Sequence, residues 1–235
     1  MQRYSRSTGA RMQNSELLTG YDSIQAEMME ESCIHVDAQD NILGPVSKYK
    51  AHRDEGVRHR AFSALIFNQD NQLLIQKRSD DKITFPGVWA NTCCSHPLYV
   101  EGEMDTGTHL GVANAAIRKL PQELGIDSTI FTPGDFNLIG RFEYSSIAES
   151  GWIEYEIDYV IATHADIEIK PNENEVSDHK WLSKEELEVF CLEESNIIAP
   201  WFLAIIDLYL SKWWPKNDRD YPKYDLHIEN VGVLK

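Results

Sequence analysis

The sequence predicts an α+β fold, and three observations carry that prediction. Residues 152–161 alternate between apolar and polar side chains, the period of a strand with two different faces. Residues 62–67 and 73–77 are apolar runs joined by Asn68-Gln69-Asp70-Asn71, a turn sequence, and read as a hairpin. Residues 108–124 have a helical pattern, with Thr108 placed to cap the start and Gly125 the end. Strands come first and mix with few helices, unlike a repeating βαβ chain.

The elements follow in order. Residues 1–26 read as a flexible N-terminal tail. Arg3, Arg6 and Arg11 precede any acid there, but the segment lacks a clear apolar face, so a tail is favoured over a targeting signal. Residues 33–36 form a short strand, turned at Asp37-Ala38-Gln39-Asp40-Asn41. Pro121 removes a backbone donor inside the 108–124 helix, so a kink or an early end is expected there. Residues 135–144 and 152–161 are strands. Ser183-Lys184-Glu185-Glu186 is a capping box opening a short helix to about residue 190. Pro200 suits the first turn of a last helix to about residue 214. Residues 27–215 are thus one domain, with a polar C-terminal tail over 216–235.

Composition narrows the function. The chain has 235 residues, enough for one large domain with a proper core. It carries 22 basic against 38 acidic residues, a net charge of −16, which argues against nucleic-acid or anionic-membrane binding. An anionic substrate would have to be attracted locally, by a metal or a few clustered cations. Cys33, Cys93, Cys94 and Cys191 show no disulfide-framework spacing, so a reducing, cytoplasmic setting is expected, with an organellar or peroxisomal one left open. The longest apolar run ends at Asp207 and is too short to span a membrane. A monomer is expected.

The densest chemistry lies in Pro86-Gly87-Val88-Trp89-Ala90-Asn91-Thr92-Cys93-Cys94-Ser95-His96-Pro97. Cys94 and His96 are two residues apart, so extended backbone points both the same way. Such a pair serves as nucleophile and base, as metal ligands, or as an acid–base couple. On residues 152–161, Glu154, Glu156 and Asp158 share one face, opposite Ile153, Tyr155, Ile157, Tyr159 and Ile161. That face is either solvated or a carboxylate row whose mutual repulsion a cation relieves. His52 and His59, with His96 and two glutamates, would give three nitrogens and two oxygens. That set suits a five- or six-coordinate divalent ion better than a structural zinc. Lys48, Arg78, Lys82, Arg118 and Lys119 are solvated charges or, converging, a diphosphate site. Trp201 is core, or an aromatic face for a cation.

These residues together resemble type I isopentenyl-diphosphate isomerases, of the eukaryotic-like branch. The resemblance runs over about residues 30–215. It rests on the 88–97 motif, Glu154-Tyr155-Glu156, Ala199-Pro200-Trp201-Phe202, His59-Arg60-Ala61-Phe62-Ser63 and Glu123-Leu124-Gly125, in the family's order. Trp213-Trp214 and Glu156-Ile157-Asp158-Tyr159 point to the branch.

The resemblance implies a Nudix-like mixed sheet packed between helices. It also implies interconversion of isopentenyl and dimethylallyl diphosphate through a tertiary carbocation, in isoprenoid biosynthesis. Catalytic roles would fall on Cys94, Glu156, Tyr144 and Trp201, with Cys94 chosen over Cys93 because it stands two before His96. One divalent ion (Mg²⁺, Mn²⁺ or Zn²⁺) would lie among His52, His59, His96, Glu154 and Glu156. A second ion, Mg²⁺, would be held with the diphosphate by Glu123, and Lys48, Arg78, Lys82, Arg118 and Lys119 would bind that group. Within the hydrolase motif ending at Glu123-Leu124-Gly125, usual acids are replaced by Leu110, Lys119 and Gln122, and the glycine by Met104. A hydrolase needs those acids to hold metal and activate water. Pro121 and Tyr155 depart from the family pattern without an evident purpose.

Overall fold

The computed structural model describes residues 18–105, 107–223 and 227–235. Its strands are β1 (Ser32–Val36), β2 (Ile42–Ser47), β3 (His59–Phe67), β4 (Leu73–Arg78), β5 (Trp89–Ala90), β6 (Cys93–Ser95), β7 (Asn137–Ile147), β8 (Ile153–His164), β9 (Val176–Leu182) and β10 (Glu229–Leu234). Its α-helices are α1 (Ser23–Met28), α2 (Lys48–Ala51), α3 (Leu110–Leu124), α4 (Lys184–Leu192) and α5 (Pro200–Ile205).

The sheet is mixed and runs β10-β7-β8-β3-β1-β2. β3 lies parallel to β8, β10 lies parallel to β7, and β7 and β8 are antiparallel. Every residue of β3 is buried because the sheet is covered on both faces. Leu65, Phe67, Val160 and Ala162 pack with Trp201, Phe202 and Ile205 of α5 on one face. Phe62, Ala64, Ile66, Ile157, Tyr159 and Ile161 pack with Val112, Ala116 and Leu120 of α3 on the other. Each large apolar side chain buried in these layers contributes about 1.5–3 kcal/mol. The α+β class and the sheet between helices are as expected.

Several local expectations change. The 62–77 hairpin is nearly absent: β3 meets β4 only at Phe67↔Leu73. The Thr92 hydroxyl stands between the two strands, accepting from Ile66 N at 2.9 Å and donating to Leu74 O at 2.6 Å. β6 takes the vacated edge of β3, and β4 pairs instead with β5 and β9. The 88–97 motif is thus a wedge that splays two strands. α3 starts later than expected, with His109 rather than Thr108 at its N-cap. It also runs through Pro121 to Leu124. The fully buried Leu120 and Leu124 hold its last turn, and Gly125, left-handed at φ 61°, donates to Pro121 O at 3.1 Å. The last helix leaves α geometry after Ile205 and ends as a π-helical turn, Ile206–Leu210.

The tails change too. Residues 1–17 of the expected N-terminal tail lie outside the described residues. Beyond them Leu18 and Gln25 are buried, and Asp22 caps α1 by accepting from Ile24 N and Gln25 N. The polar stretch over 216–235 is not simply a tail, because β10 joins the sheet beside β7.

Candidate active site

Strand register assembles the site. His59 of β3 pairs with Glu156 of β8, and Tyr144 of β7 pairs with the same Glu156 from the other side. Paired residues point to one face, so the three side chains converge. β6 sets Cys94 opposite Ser63 and Cys93 opposite Ala64. Cys94 therefore joins the face of Glu156, while Cys93 turns into the α3 layer beside Glu123. The row Glu154, Glu156 and Asp158 is buried, at 4, 5 and 1 % exposure. The solvated-face alternative is excluded.

His52, His59, His96, Glu154 and Glu156 each offer a ligand atom, all within 4.8 Å of one another. The three imidazole centroids lie 4.7 to 4.9 Å apart. His52 Nδ1 bonds to Lys48 O and His59 Nδ1 to Val57 O, both at 2.7 Å, which leaves each Nε2 facing inward. His52 Nε2, His59 Nε2 and Glu154 Oε2 are buried and make no hydrogen bond. His52 Nε2 and Glu154 Oε2 are nonetheless only 2.8 Å apart. His96 Nε2 meets Glu156 Oε1 at 2.7 Å. Buried, orphaned nitrogens and oxygens aimed at one point fit a divalent cation.

The neighbours bear on proton chemistry. The Tyr144 hydroxyl donates to Glu156 Oε2 at 2.6 Å. Burial and the Glu156 charge push the Tyr144 phenol well above its ordinary value. Burial works to raise Glu156, but the ion pair with His59, 3.4 Å away, and the charge of His52 outweigh it and hold the carboxyl at about 2. Burial pushes the Cys94 thiol up to about 12, against the opposing pull of Arg78, whose Nη1 lies 3.5 Å from Sγ. Burial, with Glu156 and Glu154 adding to it, raises Asp158 well above the carboxylate range, and its Oδ2 accepts from the Ser63 hydroxyl at 2.8 Å.

One cavity joins these groups. Cys94, Glu154, Glu156, His96, Tyr144 and Trp201 line it together with Lys48, Arg78 and Lys82. The Trp201 indole is held by Nε1 to Asn91 Oδ1 at 3.2 Å and lies edge-on to Phe85. The Arg78 guanidinium sits 5.5 Å from the Trp201 ring centre, tied to Phe85 O at 2.9 Å and Thr84 O at 2.7 Å. Lys82 is ion-paired to Glu175.

Three expected site residues stand beside the cavity rather than in its lining. Arg118, Lys119 and Glu123 belong to α3 and are not among the lining residues, but Arg118 Nη2 donates to His96 O at 3.1 Å and the Glu123 charge reaches Cys94 and Arg78. Arg118 is bound to Glu103, at 2.7 Å from Nε to Oε1. Lys119 Nζ lies 3.6 Å from Glu123 Oε1, and Glu123 Oε2 accepts from Gln76 at 3.0 Å. Glu123 Oε1 makes no hydrogen bond. The cavity also has walls that sequence reasoning did not name as site residues: Gln25, Met29, Ser63, Thr84 and Asp158. Asp158 carried a signal, since it shares the face of Glu154 and Glu156. The others carried none.

Comparison with known proteins agrees with this geometry. Residues 57–202 match the NUDIX domain. The chain is 42 % identical over 206 residues to isopentenyl-diphosphate Delta-isomerase II, chloroplastic, of Arabidopsis thaliana, covering 83 % of this chain and 72 % of that protein. It is 40 % identical to isopentenyl-diphosphate Delta-isomerase 1 of Bos taurus, covering 84 % and 90 %. It is 41 % identical to the isopentenyl-diphosphate delta-isomerase of Phaffia rhodozyma, covering 84 % and 81 %. A solved structure from Deinococcus radiodurans superimposes with a TM-score of 0.56 at 19 % identity, covering 76 % of this chain and 99 % of that one, a likeness of fold alone.

Proposed function

The chain belongs to the isopentenyl-diphosphate delta-isomerase family, on a Nudix domain, and from that premise we propose how its buried cleft carries out the reaction. The protein interconverts isopentenyl and dimethylallyl diphosphate in isoprenoid biosynthesis. The observation that supports our assignment of roles is one cavity lined by Cys94, Glu156, Tyr144 and Trp201, floored by the His and Glu cluster and bordered by Lys48, Arg78 and Lys82.

An isolated alkene is a very weak base, so protonation needs an acid held against it in a dry site. In the forward direction one proton reaches the terminal methylene carbon, leaving a tertiary cation at the branch carbon. A second group then takes a proton from the carbon between the branch carbon and the diphosphate-bearing carbon, and the double bond has moved by one position. No atom is gained or lost. We assign these two proton transfers to Glu156, with Tyr144 bonded to it, and to Cys94, which exchange roles when the reaction reverses. Trp201 offers a π face to the cation, worth up to about 2 kcal/mol once water is excluded.

His52, His59, His96, Glu154 and Glu156 would hold a divalent ion, Mg²⁺, Mn²⁺ or Zn²⁺. When bound, it neutralises the packed carboxylates and tunes Glu156. Lys48, Arg78 and Lys82 would neutralise the diphosphate together with Mg²⁺. The unbonded Glu123 Oε1 is the oxygen we assign to that second ion. Arg118 and Lys119, bound to Glu103 and Glu123, act on the diphosphate only at longer range. We place the protein in the cytoplasm, with a peroxisomal or organellar setting left open, and as a monomer. Among the described residues no helix is long and apolar enough to cross a membrane.

Isopentenyl diphosphate supplied with Mg²⁺ should be converted to dimethylallyl diphosphate without release of phosphate. Phosphate released with no isomerised product would overturn the assignment in favour of diphosphate hydrolysis.

A further inference from the structure

Side chains alternate along strands, so the neighbours of the site residues meet on the reverse face of the sheet. Arg58 precedes His59, Glu143 precedes Tyr144, and Tyr155 stands between Glu154 and Glu156. These three residues touch. Arg58 Nε donates to Glu143 Oε1 at 2.7 Å, Arg58 Nη2 donates to the Tyr155 hydroxyl, and the guanidinium lies 4.7 Å from the Tyr155 ring centre. β8 runs between β3 and β7, so Arg58 reaches from the start of β3 across Tyr155 of β8 to Glu143 of β7. Asn230 of β10 adds a 3.5 Å bond to Glu143 Oε2. The loop joining His52 to His59 is held down nearby, by Ile153 N to His52 O and Val57 N to Ala51 O, both at 3.0 Å.

We propose that Arg58, Tyr155 and Glu143 form a reverse-face clamp that positions His59, the Glu154–Glu156 pair and Tyr144 for the divalent ion and the substrate. This rests on the metal and catalytic roles assigned above. It gives a purpose to Tyr155, which departs from the family pattern. The Tyr155 ring carries the guanidinium across the middle strand, and its hydroxyl takes the bond that fixes Arg58. The Arg58 and Glu143 side chains are 23 and 11 % exposed, so the ion pair is only partly screened by water. Supports of this kind act through the ligands they hold, and losing one typically weakens metal affinity or activity by about 10–100-fold. Lys48, Arg78 and Lys82 line the cavity on the other face, so diphosphate binding should be spared.

The test uses the full chain carrying Arg58→Met, Arg58→Lys, Tyr155→Phe or Glu143→Gln. Four quantities are read: kcat, KM for isopentenyl diphosphate, Mn²⁺ affinity of metal-stripped protein, and melting temperature. Arg58→Met should lower kcat and Mn²⁺ affinity by about tenfold or more, with KM within about twofold, and Arg58→Lys should recover part of both. Tyr155→Phe and Glu143→Gln, which each remove one contact or one charge, should give smaller losses of the same kind even if Arg58→Met does not fold. Wild-type Mn²⁺ affinity in Tyr155→Phe and Glu143→Gln would overturn the clamp, whatever their melting temperatures. So would equal losses in Arg58→Lys and Arg58→Met. A wild-type protein that binds no Mn²⁺ would instead overturn the metal assignment, and the clamp with it.

Discussion

Strand β8 carries a buried charged cluster on each face, and the two are built differently. On the α3 face Asp40 is answered by cations: Arg60 Nε at 2.9 Å and Arg141 Nη1 at 3.0 Å, with the Tyr159 hydroxyl also donating to its carboxylate. On the other face three acids stand in one row, Glu154, Glu156 and Asp158, among three imidazoles, and several ligand atoms make no hydrogen bond. The first cluster pairs its carboxylate with cations and pins the turn after β1 to the sheet. The second is incomplete in the protein alone. Buried polar atoms left unpaired cost free energy, and a fold retains them where a ligand completes them. The contrast separates an ionic cluster closed by its own cations from one with the donor set of a cation site.

Substitutions on the two faces probe this difference. The largest effect should come from Cys94→Ala, which removes a group we propose transfers a proton. We expect kcat to fall by about 10²–10⁴-fold with the melting temperature little changed. A variant that turns over normally would defeat the assignment. Asp40→Ala should act in the opposite sense. It strands Arg60, 1 % exposed, and Arg141 without their carboxylate, and should cost about 3–5 kcal/mol of stability while the folded protein keeps its metal. Denaturant unfolding with a metal assay checks both halves.

A third effect is set by pH. Glu175 is pushed up by burial but held at about 2 by Lys82 and Lys119, below its ordinary 4.5. Its folded value is depressed, so its contribution is present above about pH 4.5 and is lost as pH falls toward 2. Acid unfolding should therefore be shallower in Glu175→Gln than in wild type; identical profiles would count against this pairing. The smallest effect should be that of Cys93→Ala. Cys93 faces Glu123 and the α3 layer, so kcat should change no more than about threefold, less than any general acid–base contribution. Equal losses at Cys93 and Cys94 would remove the distinction that β6 draws between them.

What is legible in the sequence follows from periodicity and spacing. The alternation of 152–161 places three carboxylates on one face, and the Cys94–His96 spacing places a thiol and an imidazole together. What escapes has no local signal. β2 contains Gly44-Pro45, β9 reads Val-Ser-Asp-His-Lys-Trp-Leu, and β10 is largely exposed, so none shows a clean apolar alternation. The expected hairpin fails because Thr92, far along the chain, supplies the bonds that keep β3 and β4 apart. Motif resemblance groups Arg118, Lys119 and Glu123 with the cavity residues; in the fold they stand on α3 beside the cavity without lining it, Arg118 donating to His96 O and Glu123 accepting from Gln76. Burial, not sequence, rules out a solvated Glu154–Glu156–Asp158 row.

The distinction between the two faces stands or falls on a divalent ion completing the His and Glu cluster. Its most direct test is the metal content of purified wild type, Glu154→Gln and Asp40→Asn, measured by elemental mass spectrometry on protein freed of excess metal. Wild type and Asp40→Asn should retain about one divalent ion per chain, and Glu154→Gln should lose most of it. Equal metal content in Glu154→Gln and wild type, or none in wild type, would contradict the metal-completed site.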